Sequence, residues 1–407
     1  MSRICVVRQL YYPRDPLVRR EVEALVASGH QVDVVCMRRK GEAALERAGA
    51  VTIRRLPLSH RRGGLASYIF EYAAFLVMAT VVIGALHLRR RYALVQVNTP
   101  PDSLVFAAIL PKLLGTPVLL HLQEPMPEFF ASKFKTSLDH PAARILGLIE
   151  RASIAFADRA ITCTEQMRLA FASRGADPAR TDVILNASDE ELFDHRRLPQ
   201  LPAPPDQFVL ITHGTMEERY GIDTTIQAVG LLRDKFPGLR LMLFGEGSFR
   251  PKLVRLAAEL GVGDRVSFSE GWVPYEELLR ALAGADAGVV AMKRDPFRDI
   301  THCHKMFDFV AMRKPAIVSR TAAVEAYFGA DCFEMFESDD AHDLARAIRR
   351  LVEDRARGAL LAGRAAERGQ PYRWPHQRER YLAIVAALLR GRGVAHTTLT
   401  EGSAAAQ

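Results

Sequence analysis

Residues 286–320, DAGVVAMKRDPFRDITHCHKMFDFVAMRKPAIVSR, permit few folds. Residues 287–291 form a short apolar run of buried-strand type, residues 315–319 form a second, and residues 305–312 between them have helical spacing. Strand, loop, helix and strand in that order make the repeat of a parallel sheet, whose ligands sit outside the carboxyl ends of the strands. The polar loop 293–304 and the first turn of the next helix are therefore expected to face a site. Lys305 and Asp308 fall on one face of that turn, where an ammonium reaches a phosphate and a carboxylate accepts from sugar hydroxyls. A solvated helix start in an ordinary parallel-sheet domain would carry the same residues, so the rest of the chain has to decide.

At 407 residues the chain exceeds one core of ordinary size, and two domains are expected. Apolar residues at 49% and charged residues at 25% are the balance of a soluble globular protein. Cys5, Cys36, Cys163, Cys303 and Cys332 show no paired spacing and read as buried, reduced thiols of a cytosolic protein. The start, MSRICVVRQL, has a strand pattern and lacks that of a signal peptide. A net charge of +8 and a pI near 9.3 favour an anionic partner. A nucleotide-sugar diphosphate or an anionic membrane surface fits as well as nucleic acid. Nucleic acid is set aside because no zinc-finger, basic-zipper or aromatic RNA-binding pattern is present.

The chain opens with ICVVRQ, PLVRREVEALVASGH and QVDVVCM, a strand, a helix stopped at Gly29, and a strand. Loop 9–16 (QLYYPRDP) sits where such folds approach a ligand, without the G-x-G-x-x-G fingerprint of a dinucleotide cofactor. Arg14 and Asp15 read either as site residues or as a salt-bridged turn. Residues 68–88, YIFEYAAFLVMATVVIGALHL, are long enough to span a membrane and lie between Arg61-Arg62 and Arg89-Arg90-Arg91. Glu71, the frequent small residues and the strand that follows favour a core helix of the first sheet instead. The basic flanks still allow that helix to lie against a membrane.

Strands and helices alternate again through residues 94–183, and LPQLPAPPDQ marks a linker. A second sheet starts at FVLITHGT. Its loop 214–221, GTMEERYG, leads a strand into a helix start, where free N–H groups and the helix dipole favour phosphate, and Arg219 adds a planar donor fork. LMLFGEGSF repeats the arrangement at Gly245 and Gly247.

The run HKMFDFVAMRKPAIVSR, with DPF before it, resembles the nucleotide-sugar-binding motif of the family 4 glycosyltransferases, retaining enzymes of the α/β, two-domain GT-B fold that often read TKLFEY and then A-x-G-K-P-V-I. YYPRDPLVRREVEAL, VQVNTPPDSLVFAA, LLHLQEPMPEF and ILNASDEELF resemble further segments of that family, in order, over roughly residues 3–390. The resemblance implies two Rossmann-like domains facing a central cleft, with the acceptor on the first and the nucleotide on the second. Asp308 would hold the donor ribose. The family glutamate eight positions earlier falls on Ile300, leaving Asp299 beside the donor sugar. Gly214, Thr215, Arg219, Gly245, Gly247 and Lys305 would cradle the diphosphate, and the turn of Trp272 and Val273 would lie beside the base. Trp272 reads either as a base-stacking residue or as core, with core favoured.

On the acceptor side the resemblance implies Tyr12, Arg14, Asp15, Asn98 and Glu128. Asn98 and Gln123 replace two family histidines, and Glu124 replaces an aspartate. Gln123 cannot carry a proton at neutral pH, and His121, two residues earlier, would compensate only if the strand end bends. The expected catalytic group is Gln123, Glu124, His121, Arg219 and Lys305, acting without an essential metal or other cofactor. A lipid-linked or glycan acceptor and a cytoplasmic location at the inner face of the cell membrane follow. The expected domains are 1–198, a linker 199–207, 208–371, a helix 372–392 crossing back to the first domain, and a disordered tail 393–407. Clustered replacements leave a second reading, a non-catalytic transferase-like binding or regulatory protein.

Overall fold

A computed structural model describes residues 1–60, 65–188, 192–197, 204 and 206–391. Arg61, Arg62, most of the linker and the expected tail 393–407 lie outside the described residues. The chain forms two compact units, Met1–Leu185 together with the chain from Arg378, and Asn186–Gln377.

Among the described residues the first unit carries an eight-stranded sheet. Its strands are β1 (Arg3–Arg8), β2 (Gln31–Met37), β3 (Leu45–Ala48), β4 (Val51–Leu56), β5 (Leu94–Asn98), β6 (Val118–Leu122), β7 (Arg159–Thr162) and β8 (Thr181–Val183), in the order β3-β4-β2-β1-β5-β6-β7-β8. All neighbours run parallel except the antiparallel pair β3 and β4. A parallel sheet is covered on both faces, which is why β5, β6 and β7 are buried at every position. Helix Pro16–Ala27 starts at Asp15, whose carboxylate accepts from the Leu17 and Val18 N–H groups and pairs with Arg8 at 2.8 Å.

Helix Leu65–Arg90 packs one face into this unit. Phe75, Ala79 and Ile83 are fully buried there, worth about 1.5–3 kcal/mol for each of the two large side chains. The opposite face is exposed, so the helix is not wholly core. Helix Trp374–Leu389 ends the described chain, and from Arg378 it belongs to the first unit. There Tyr381 Oη donates to Gln96 Oε1 at 2.5 Å, and Gln96 Nε2 donates to Glu21 Oε2 at 2.8 Å.

The second unit holds, among the described residues, a six-stranded parallel sheet: β9 (Phe208–His213), β10 (Leu239–Phe244), β11 (Val266–Phe268), β12 (Ala287–Val290), β13 (Ala316–Ser319) and β14 (Glu334–Phe336), in the order β11-β10-β9-β12-β13-β14. The helix expected over 305–312 runs His304–Ala311. Loop 293–304 contains a short helix, Pro296–Ile300, that begins where Asp295 accepts from the Arg298 N–H. The division between units falls at Leu185, ahead of the expected 198, because the following strap packs on the second unit: Ser188 Oγ donates to Asp308 and Phe193 stacks on His213.

Candidate functional site

The loops after β9, β10 and β12 meet beside helix His304–Ala311. Gly214, with φ +96°, brings the backbone under Lys305, and a Cβ at 214 would stand 2.9 Å from Lys305 Cε. A Cβ at Gly245 or Gly247 would collide with the Gly214 or Met216 carbonyl oxygen, so the two glycine loops need bare backbone to lie against each other. Hydrogen bonds hold them: Gly214 N–H to the Phe244 carbonyl (2.8 Å), Met216 N–H to the Glu246 carbonyl (2.7 Å) and Ser248 Oγ to Glu217 (2.9 Å). The Lys293 N–H donates to the Arg219 carbonyl at 3.0 Å, and Lys293 itself pairs with Asp223 and Asp339.

Three cations surround the Tyr220 ring. Lys305 Nζ lies 4.0 Å from its centroid, the Arg219 guanidinium 5.2 Å and the Arg298 guanidinium 6.0 Å. None has an ion-pair partner among the described residues, and Arg298 Nε is buried without a hydrogen bond. Burial pushes the Lys305 ammonium below its ordinary range against the opposite pull of Cys303 and Asp308. Burial likewise lowers Arg298. Three positive groups without an ion pair, set over glycine-bare backbone, are an arrangement that can hold a polyanion.

Asp308 is buried at the edge of this group. Its Oδ1 accepts from Ser188 Oγ at 2.6 Å, and Oδ2 lies 3.6 Å from His213 Nε2. Burial, helped by Lys305, holds His213 down at about 3, so this histidine is neutral and its approach to Asp308 is not an ion pair. A hollow of about 280 Å³ runs along the strap, lined by Ser188, Phe193, Phe307, Arg313 and Tyr372 among others, and includes none of Gly214, Arg219 or Lys305.

The remaining second-unit residues divide. Thr215 and Val273 are half-buried. Trp272 is 65% exposed, which corrects the favoured core reading: Gly271, at φ +73°, turns the chain outward after β11. Asp299 pairs with Arg294 at 2.8 Å and accepts from the Ala322 N–H, so its carboxylate holds the start of helix Ala322–Phe328.

In the first unit, Asn98 and His121 are register neighbours on β5 and β6. His121 Nδ1 lies 2.6 Å from Glu21 Oε1. Burial alone would lower His121, but the Glu21 carboxylate, helped by the Cys163 side chain, outweighs it and lifts the imidazole to about 9. Gln123 and Asn98 are buried, and their side-chain amide nitrogens have no hydrogen-bond partner. Glu124 is half-buried. Glu128 is buried in a pair with Arg174 (2.6 Å), which also forks onto Glu150, whose carboxyl burial raises to about 7. Tyr12 is buried, its hydroxyl pushed up to about 12 by burial. Arg14 is exposed, and Asp15 pairs with Arg8 where the salt-bridged-turn reading had Arg14. Among the described residues no group of three or more His, Cys, Asp or Glu side chains converges as a metal site would.

Sequence reasoning missed Arg298, His213 and the bond from Ser188. For Arg298 a signal existed: Asp295-Pro296 is the cap-then-proline start of a helix, which sets the direction of the residues after it.

Two family models match in tandem: the glycosyl transferase 4-like domain over residues 16–187 and the glycosyl transferases group 1 domain over residues 207–354. The lipopolysaccharide core biosynthesis glycosyltransferase LpsE of Rhizobium meliloti is 32% identical over 171 residues, covering 42% of this chain and 46% of that protein. The chain spans between about half and three fifths of the length of the curated relatives it matches. Among solved structures, sucrose-phosphate synthase from Thermosynechococcus elongatus fits with a TM-score of 0.76 at 19% identity, over 96% of this chain and all 100% of that one. Anabaena HepE in complex with UDP and glucose fits with a TM-score of 0.68 at 15% identity, over 95% of this chain and 100% of that one. Both likenesses show the fold, two α/β parallel-sheet domains of GT-B type. With both domain types present in order on that fold, the chain belongs to the glycosyltransferases, as a glycosyl transferase 4-like domain followed by a group 1 domain.

Proposed function

We propose that the protein transfers a sugar from a nucleoside-diphosphate sugar to an acceptor with retention of configuration, in the assembly of a cell-surface polysaccharide or glycolipid. The observation that carries this reading is the set of three unpaired cations, Arg219, Arg298 and Lys305, around Tyr220 above the Gly214 loop. In the transfer, the bond from the sugar's anomeric carbon to the diphosphate breaks with its electron pair going to the diphosphate oxygen. Those cations stabilise the charge that develops there. The acceptor oxygen bonds to the same carbon from the same face, and its proton passes to the departing oxygen. Gln123 therefore need not act as a base. Asp308 exchanges its bond to Ser188 for one to the donor ribose.

The neighbour solved with UDP and glucose supports a uridine nucleotide as the first donor to try. The lipopolysaccharide relative supports a lipid-linked glycan acceptor; in this reading the protein meets it at the cytoplasmic face of the cell membrane. Incubation with a panel of nucleotide sugars, with and without chelator, tests the reading: donor hydrolysis or transfer is expected in both conditions. Tight nucleotide binding with no turnover of any donor would favour the non-catalytic reading, for which the unpartnered amides of Asn98 and Gln123 at the replaced histidine positions speak.

A further inference from the structure

Helix Leu65–Arg90 reverses the usual arrangement of a soluble helix. Glu71 and His87 are buried on its inner face, with Glu71 bonded to His60 and Gln9. Its outer face presents Phe70, Ala73, Val77, Val81, Ala85 and Leu88, all exposed and all apolar. Spacings of three and four put them on one stripe, about 27 Å long at the helical rise. Helix Ile109–Leu113 packs beside it, with Leu110 close to Gly84 and Leu113 77% exposed, which widens the apolar face. Such a continuous patch on a soluble unit marks a contact surface.

Both ends of the stripe are basic. Arg89 and Arg91 are exposed at the carboxyl end with no ion pair among the described residues, while Arg90 is engaged by Asp33. At the other end exposed Lys133 lies 4.4 Å over the Tyr68 ring, an aromatic and a cation together. We propose that this face rests on an anionic lipid surface, with the helix lying along the interface. It does not cross, because Phe75, Ala79 and Ile83 are part of the first unit's core and insertion would strip them from it. A second copy laid on the stripe in either direction would set basic end against basic end. Anionic headgroups satisfy both ends, and acyl chains receive the stripe. The inference stands on this face alone and adds to the transfer reading the surface at which a lipid-linked acceptor is met.

The test is flotation of the whole protein with phosphatidylglycerol-rich and pure phosphatidylcholine vesicles, at low and high salt and without any nucleotide sugar, so that a failed donor assay leaves it intact. Binding to the anionic vesicles that weakens with salt is expected. Replacing Arg89 or Lys133 by alanine should weaken it roughly fivefold each. The double change Val77→Glu and Val81→Glu, at exposed positions that leave the melting temperature unchanged, should abolish it. No flotation at low salt, or flotation unchanged in the double variant, would overturn the proposal. A wild-type dimer that the double variant dissociates, with no vesicle binding, would also overturn it, in favour of a second copy.

Discussion

Gly214 lies directly beneath Lys305: a Cβ there would meet Lys305 Cε at 2.9 Å, so a methyl group fits only if the lysine chain moves aside. Gly214 also has φ +96°, which costs a residue with a side chain about 1–3 kcal/mol. Gly214→Ala should therefore both strain the loop and displace the ammonium. The expected result is a nucleoside-diphosphate affinity at least roughly tenfold weaker by calorimetry, since 1.4 kcal/mol is a factor of ten. Unchanged affinity in a folded variant would remove this loop from the donor site.

Lys305 itself is buried without an ion pair, so it costs stability, a cost the proposed diphosphate contact would explain. Its folded pKa lies below the unfolded value, so the unfolded state holds the proton more tightly and the folded state gains stability as pH rises toward that value. Lys305→Met should keep or raise the melting temperature at neutral pH while abolishing transfer. A large loss of stability in this variant would mean that the lysine is held by a partner after all.

Arg298→Gln carries the same logic to a residue with no counterpart in the expected site. Its guanidinium shares the Tyr220 ring with Arg219 and Lys305. Removing one of three cations should weaken nucleoside-diphosphate binding roughly ten- to a hundredfold, as for a charged hydrogen bond worth about 1.5–3 kcal/mol. Binding of the free nucleoside, which lacks the phosphates, should not change. An equal loss for nucleoside and diphosphate would show that Arg298 merely packs.

How much was legible divides along sequence distance. The helix of Lys305 and Asp308 and its flanking strands were readable because apolar periodicity within residues 286–320 is local. Glycine turns between strand and helix after β9 and β10 were readable for the same reason. Asp308 meeting Ser188 joins residues 120 apart in the chain, and no local pattern encodes that pairing. Asp15 and Glu128 show a different limit: a carboxylate in a loop or first turn reads alike whether it faces a ligand or pairs with an arginine of the same unit. The helix over residues 68–88 was read as core from Glu71, its small residues and the strand that follows, none of which tells a buried apolar face from an exposed one.

Asp308 and Ser188 yield a paired prediction. A carboxylate accepting from the ribose contributes about 1.5–3 kcal/mol, so Asp308→Asn should weaken donor binding roughly ten- to a hundredfold. Ser188 competes for the same oxygen at 2.6 Å, so Ser188→Ala should leave affinity unchanged or improve it. If Ser188→Ala instead lost as much affinity as Asp308→Asn, the hydroxyl would be positioning the carboxylate and no exchange would occur.

The pair of His121 and Glu21 makes stability fall with rising pH. His121 is lifted from 6.5 when unfolded to about 9 when folded, because the buried Glu21 carboxylate, helped by the Cys163 side chain, outweighs the cost of burying its charge. The stabilisation is therefore fully present below about 6.5 and is lost as pH rises through about 9. Glu150, raised to about 7, titrates mostly below that window and does not mimic it. Glu21→Gln removes the partner and leaves burial as the dominant influence on His121, while its amide oxygen can still accept from Gln96. Denaturant melts of the two proteins across the window should show the wild type losing stability relative to Glu21→Gln, by an amount on the order of a few kcal/mol. Parallel curves would show that His121 carries no charge across the window and that its approach to Glu21 is not an ion pair.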